Sequence, residues 1–357
     1  MNKRQFLQSS ALALTALPLG LLPLSSCAAV GSKARNGAMP GDIILPQPLN
    51  PGDTVALVSP SKATDERLDI QIATEVMQAL GFKVKQGEHL QGRRGHLAGT
   101  DLERAGDLNA MFADPEVKAI ICLRGGSGAA RLLPLLDYSL IKRNPKVLLG
   151  YSDITALHNA INAQTGLVTF HGPNGTGSWN SFNADQFQRV FFQRERMQYQ
   201  NELNAKDELV PRQNRIETIT GGKVQGQLVG GNLTVLTALA GSPYLPDFSG
   251  KILFLEDVEE APYRVDRMLS TLKLMGALDK IAGFIFGECT ACRPGGGYGW
   301  LTMDQIFDDH IKPLNIPAYR GAMIGHLSKQ FIVPHGAPVE MDADAGTFRM
   351  LNSVFQG

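Results

Sequence analysis

Cysteine is scarce in this sequence, and neither positive nor negative charge is in excess. The 357 residues hold four cysteines, and Lys+Arg and Asp+Glu are both 34, so the net charge is zero. No basic stripe stands out, which argues against a nucleic-acid binder. Cys289 and Cys292 form a lone C-x-x-C, and neither a second cysteine pair nor a nearby histidine spacing supports zinc. No G-x-G-x-x-G follows any expected strand, so NAD or phosphate binding ranks low. The glycines of RPGGGYGW lie in a loop rather than before a helix, a poor phosphate cradle. There is no internal repeat and no coiled coil.

What is present is an ordinary globular balance, 43% hydrophobic and 19% charged, with length enough for two domains. The N-terminus reads differently. MNKRQF is a basic n-region and residues 11–24 are an apolar h-region, too short and proline-broken to span a bilayer comfortably. This is a signal peptide. Leu24-Ser25-Ser26-Cys27 resembles a bacterial lipobox, in which Cys27 would be lipidated and begin the mature chain; the bland reading is a plain cleaved signal. Asn2–Gln8 resembles, more weakly, a twin-arginine signal. The expected location is the cell envelope, with membrane contact through the lipid anchor. Residues 28–49 read as a tether.

From residue 53 short apolar runs alternate with amphipathic ones. DTVALVSPS, FKVKQG, VKAIICLRGG and KVLLG read as strands. Residues 66–81, 100–115, GAARLLPLLDYSLIKRN with a break near Pro134, and DITALHNAINAQTG read as helices. Thr100 and Glu103 form a capping box. This order implies an α/β domain over 50–175 with a mostly parallel sheet. Ligands of such sheets sit beyond the strands' carboxyl ends, where Ser59, Arg124-Gly125-Gly126 and Ser152 fall. Residues 176–222 read as a linker with a helix near 184–193. A second domain spans 223–357, with strands expected at KILFLEDVEE, IAGFIFGEC, AYRGAMIGH, PVEMDA and TFRML.

Ser152 follows Gly150 between a strand and a helix, the layout of a nucleophile elbow, although Ile154 stands where G-x-S-x-G has its last glycine. A helix cap is the bland alternative. Amides of the RGGSG turn, with that of Asp153, could form an oxyanion hole; equally, the glycines serve a tight turn. A serine needs a base, and the histidines are at 89, 96, 158, 171, 310, 326 and 335. His335 in Pro-His-Gly reads as a turn, and His158 points elsewhere. An acidic orienter is offered by Glu256, Asp257, Glu259 or Glu260. Arg124, Arg264 and Arg267 are candidates to hold a carboxylate. Cys122 reads as buried, and Cys289 and Cys292 as free or locally paired thiols.

Taken together, GDTVALVSPS, the 97–138 stretch, KVLLGYSDITALH, GGNLTVLTALAGSPY, ILFLEDVEEAPYRVDRML and GHLSKQFIVPHGAPVEMD resemble the LD-carboxypeptidase family of serine peptidases. The resemblance spans roughly residues 50 to 345. It implies a flavodoxin-like domain with a second, smaller β-rich C-terminal domain, and commonly a homodimer. By the motifs, Ser152 is implied as nucleophile, Glu256 as orienter and His326 as base, with the Gly125 and Asp153 amides as oxyanion donors. The implied activity needs no metal or cofactor: hydrolysis of an amide between an L-centre and a C-terminal D-amino acid, usually release of D-Ala from a murein tetrapeptide. Relatives also cleave peptide–nucleotide antibiotic conjugates, and a non-catalytic lipid-anchored murein-binding protein is a further alternative. Two departures stand out: Ser127 replaces the aromatic residue of many relatives, and the typical recycling member is cytoplasmic.

Overall fold

A computed structural model describes residues 43–203, 209–293 and 299–357. The signal segment, Cys27 and most of the tether lie outside the described residues, as do residues 294–298 of the RPGGGYGW stretch.

The first sheet has six strands. β1 (Thr54–Val58), β2 (Lys83–Gln86), β3 (Val117–Cys122), β4 (Val147–Gly150) and β5 (Thr169–His171) are parallel, in the order 2-1-3-4-5. This is the flavodoxin-like order, whose ligand crevice opens at the β1/β3 switch point. Side chains alternate along each strand. Val55 and Leu57 therefore face one core while Ala56 and Val58 face another. The first of these cores takes α1 (Arg67–Ala79), and the second is roofed by α2 (Asp101–Ala113), α3 (Tyr138–Arg143) and α4 (Thr155–Thr165). Thr100 caps α2 with the expected box: its hydroxyl accepts from the Glu103 amide and the Glu103 carboxylate accepts from its own.

The second sheet has eight strands, in the order β6-β14-β13-β8-β9-β10-β11-β7. Its centre is parallel: β8 (Lys223–Asn232), β9 (Ile252–Val258), β10 (Gly283–Thr290) and β11 (Ala318–Arg320). The antiparallel flanks are β13 (Pro338–Asp342) and β14 (Thr347–Met350) on one side, and β7 (Glu217–Thr220) on the other. β6 (Gln198–Tyr199) and β7 both come from the stretch read as a linker, which also forms α5 (Ser181–Phe187). Ile252 and Phe254 of β9 enter the same core as Val55 and Leu57, so this core lies between the sheets. Leu253 and Leu255 face the opposite way, beneath α6 (Leu233–Ala238), α7 (Pro262–Leu274) and α8 (Met303–His310). Among the described residues no helix is long and apolar enough to cross a membrane.

Two expectations are corrected. His335 is not in a turn: it lies in β12 (Val333–His335), which pairs antiparallel with β5 as the sixth strand of the first sheet. Pro334 is tolerated because β12 is an edge strand, where a missing N–H breaks no ladder. The AYRGAMIGH run is a strand only to Arg320. Beyond it the chain turns and crosses the end of β9. Gly325, at φ 117°, lies so close to Glu256 that a Cβ there would stand 2.7 Å from Oε2. Only glycine allows that approach with that backbone.

Candidate active site

Ser152 follows β4 directly and opens a short 3-10 turn leading into α4. Its φ is +65°, a strained value for a residue with a side chain. Ser152 caps neither helical segment, since Tyr151 precedes the 3-10 turn and Ile154 precedes α4; its hydroxyl instead faces His326.

The structure brings three of the expected residues into one chain of contacts. His326 Nε2 lies 3.1 Å from Ser152 Oγ, and His326 Nδ1 lies 2.8 Å from Glu256 Oε2. Glu256 ends the apolar part of β9 and is fully buried. The imidazole remains partly open to solvent, and the Tyr151 ring packs against it at 4.9 Å between centroids. With Nδ1–H donated to the carboxylate, Nε2 is free to accept from the serine. Burial pulls the His326 imidazole down, but the hydrogen bond and charge of Glu256 carry it above its ordinary value. Burial likewise opposes charge on Glu256, yet His171 and His326 beside it hold its carboxyl below the usual range.

Two of the alternatives for the acid are occupied elsewhere, and Glu259 is exposed. Asp257 accepts from Asn232 Nδ2, the Thr234 amide and hydroxyl, and the Val258 amide, pinning the start of α6. Glu260 pairs with Arg264. The other histidines are accounted for too. His89 pairs with Asp107 and His310 with Asp266, while His96 is exposed. His158 donates through Nε2 to the Gly150 carbonyl and accepts at Nδ1 from Thr169 Oγ1, and burial holds it down at about 3. Buried His335 lies 3.2 Å from Asn159 Oδ1.

Gly125 lies against Ser152. A Cβ there would stand 2.7 Å from Ser152 Cβ and 3.0 Å from its Oγ. The carboxylate of Asp153 accepts from Ser61 Oγ at 2.5 Å and from the Ala129 amide at 2.8 Å. It thus ties the loops after β1 and β3 to the serine turn. Sequence reasoning singled out Ser59, but its hydroxyl donates to Leu90 O; Ser61 is the residue that reaches the site. His171 was also underrated. It ends β5 beside Gly150 of β4, and that strand-end register is the signal that could have found it.

A cleft of about 220 Å³ opens in front of Ser152, lined by Arg124, Gly125, Tyr151, Asn174, Thr176 and His326 among others. Arg124 is the one expected carboxylate partner in its wall. Arg264 is bonded to Glu260, and Arg267 lies over the Tyr263 ring. Ser127 is exposed on the RGGSG loop. Cys289 and Cys292 are joined in a disulfide, and Cys122 is a buried free thiol.

Comparison with known proteins adds independent findings. Residues 55–172 match the LD-carboxypeptidase N-terminal domain and residues 225–341 the LD-carboxypeptidase C-terminal domain. The chain is 40% identical over 317 residues to the "Probable murein peptide carboxypeptidase" of Bacillus subtilis, covering 87% of this chain and 96% of that protein. The structure of MccF in complex with glutamyl sulfamoyl guanosine superposes with a TM-score of 0.79 at 28% identity, covering 87% and 99% of the two chains. The muramoyltetrapeptide carboxypeptidase of Oxalobacter formigenes does so with a TM-score of 0.71 at 28% identity, covering 83% and 97%.

Proposed function

The chain belongs to the LD-carboxypeptidase family, and on that premise we propose that it is a serine peptidase releasing a C-terminal D-amino acid, D-Ala of a murein tetrapeptide, through Ser152, His326 and Glu256. The observation that carries this reading is the unbroken sequence of contacts from Ser152 Oγ through the imidazole to a buried carboxylate.

In this mechanism His326 Nε2 takes the Ser152 proton as Oγ attacks the scissile carbonyl carbon. Glu256 holds the ring with Nε2 toward the serine and stabilises the imidazolium. The Gly125 and Asp153 amides receive the negative oxygen of the tetrahedral intermediate. The C–N bond then breaks, His326 gives its proton to the departing amine, and D-Ala leaves. Water, deprotonated by the same imidazole, attacks the acyl-enzyme and frees the shortened peptide. Arg124 lines the cleft, 3.8 Å from Asp65, and is the arginine we assign to the substrate carboxylate. No step calls for a metal or cofactor.

The test is D-Ala release from purified murein tetrapeptide by the full-length protein, beside Ser152→Ala. Release that persists in EDTA and vanishes in the variant is the expected result; none from folded wild-type protein would sink the substrate assignment. The neighbouring MccF complex holds an aminoacyl sulfamoyl nucleoside. That favours a second substrate class, amide-linked peptide–nucleotide conjugates, to be assayed in parallel. The lipid anchor at Cys27 in the cell envelope is part of the same proposal, tested by membrane partition of wild type against Cys27→Ser. A homodimer is also proposed, and its mass in solution tests it.

A further inference from the structure

Glu256 gives only one of its oxygens to His326. The other, Oε1, is buried and has no hydrogen-bond partner among the described residues. A buried carboxylate oxygen left in that state forfeits its hydration with nothing in return. The polar atom facing it is His171 Nε2, at 3.9 Å. His171 is itself 1% exposed, and both of its ring nitrogens lack partners among the described residues. Its surroundings leave it little else to bond. Phe254 and Tyr151 stand against it edge-on, with centroids at 5.5 and 6.0 Å. His158, at 6.3 Å, has both nitrogens engaged with Gly150 and Thr169.

We propose that His171 is a positioning residue for Glu256: its Nε2–H donates to Oε1 and fixes the carboxylate plane so that Oε2 faces His326. The inference rests on the Ser152–His326–Glu256 reading above. A closure of roughly 1 Å brings the pair to an ordinary N–H···O distance. No proton changes hands at His171. When His326 takes the serine proton, the carboxylate meets an imidazolium on one oxygen and a donor N–H on the other, so its charge stays in place. Without His171, that charge would have an unsatisfied oxygen in an apolar wall, and the carboxylate would be free to turn.

The test compares His171→Leu and His171→Gln in the full chain. Glutamine keeps a donor at similar reach; leucine keeps only bulk. Leu is expected to lower kcat by roughly 10- to 100-fold, the range for outer-shell partners, with KM unchanged. Gln is expected to retain most of kcat. Equal thermal unfolding of the two variants excludes a merely structural loss. A second readout needs no substrate: the His326 Nδ1–H proton resonance, deshielded by its bond to Glu256, moves upfield in Leu and holds its position in Gln. Wild-type kcat and resonance in Leu, or an equal loss in both variants, would overturn the proposal. Where Leu does not fold, Gln decides: retained kcat supports the donor role, and a loss of tenfold or more refutes it. Should Ser152→Ala prove fully active, the catalytic reading itself falls, whereas the resonance still reports on the Glu256–His171 contact.

Discussion

Ser152 Oγ and His326 Nε2 stand 3.1 Å apart although 174 residues of chain separate them. The serine sits on the first sheet's edge, and the histidine arrives on the loop that crosses the end of β9. Removing either should cost about 10⁴ or more in kcat, and removing both hardly more, because the two act as one unit. Single and double alanine variants assayed for D-Ala release check this; additive losses would show that they work separately.

Gly125→Ala tests the approach of the RGGSG loop. Its φ is not in the left-handed region, so alanine is tolerated by the backbone, but the new methyl would press on Ser152 at 2.7 Å. The expected result is a kcat lower by about 10²–10³, comparable to the loss of one oxyanion donor, with nearly normal thermal stability. Full activity would place the reacting carbonyl elsewhere.

The rate should rise with pH through an acid limb above 6.5, because a base works only when neutral and Glu256 raises His326 above that ordinary value. Glu256→Gln removes the hydrogen bond and charge that oppose burial most, leaving only the smaller pull of Asp257 and Glu259, so the limb should move to lower pH while the rate falls by about 10⁴. Stability follows by linkage. The raised His326 stabilises the fold fully below about 6.5 and loses that contribution as pH rises through its folded value. The depressed Glu256 stabilises above its ordinary 4.5 and loses that as pH falls through its folded value. A pH–rate profile and a pH series of unfolding curves check both signs.

Asp153→Ala should act on stability as well as rate. It strands the Ser61 hydroxyl and the Ala129 amide in a buried place, at about 1–3 kcal/mol for each group left unpaired. Asparagine keeps an oxygen there and should recover most of the stability. Urea unfolding of both variants checks the difference.

Much of this was legible in the sequence because it is local. The capping box at Thr100, the alternation of β1 and the strand–Ser152–helix layout are each written within a few residues. The choice of Glu256 rests on motif resemblance and on its place as the first polar residue after the apolar strand, a local signal too weak by itself to pair it with His326. Its separation from Asp257 comes from tertiary contacts: the start of α6 claims Asp257, and Gly325 closes on Glu256. His335 was misplaced because Pro-His-Gly has turn chemistry, while the edge of a distant sheet decided its conformation. Nothing in the residues around His171 points to Glu256, because the carboxylate it faces at 3.9 Å belongs to a different sheet.

The edge strand β12 is drawn from the far end of the chain to finish a sheet whose other strands are made early. The order of synthesis therefore matters. When Ser152 has been made, neither its base nor its orienter exists, and the sheet beneath it still lacks an edge. Such long-range closure folds late. On the proposed reading, activity should therefore wait until residues 333–335 have been made and have closed the sheet. A chain cut before Val333 should hold all three catalytic side chains and still release no D-Ala.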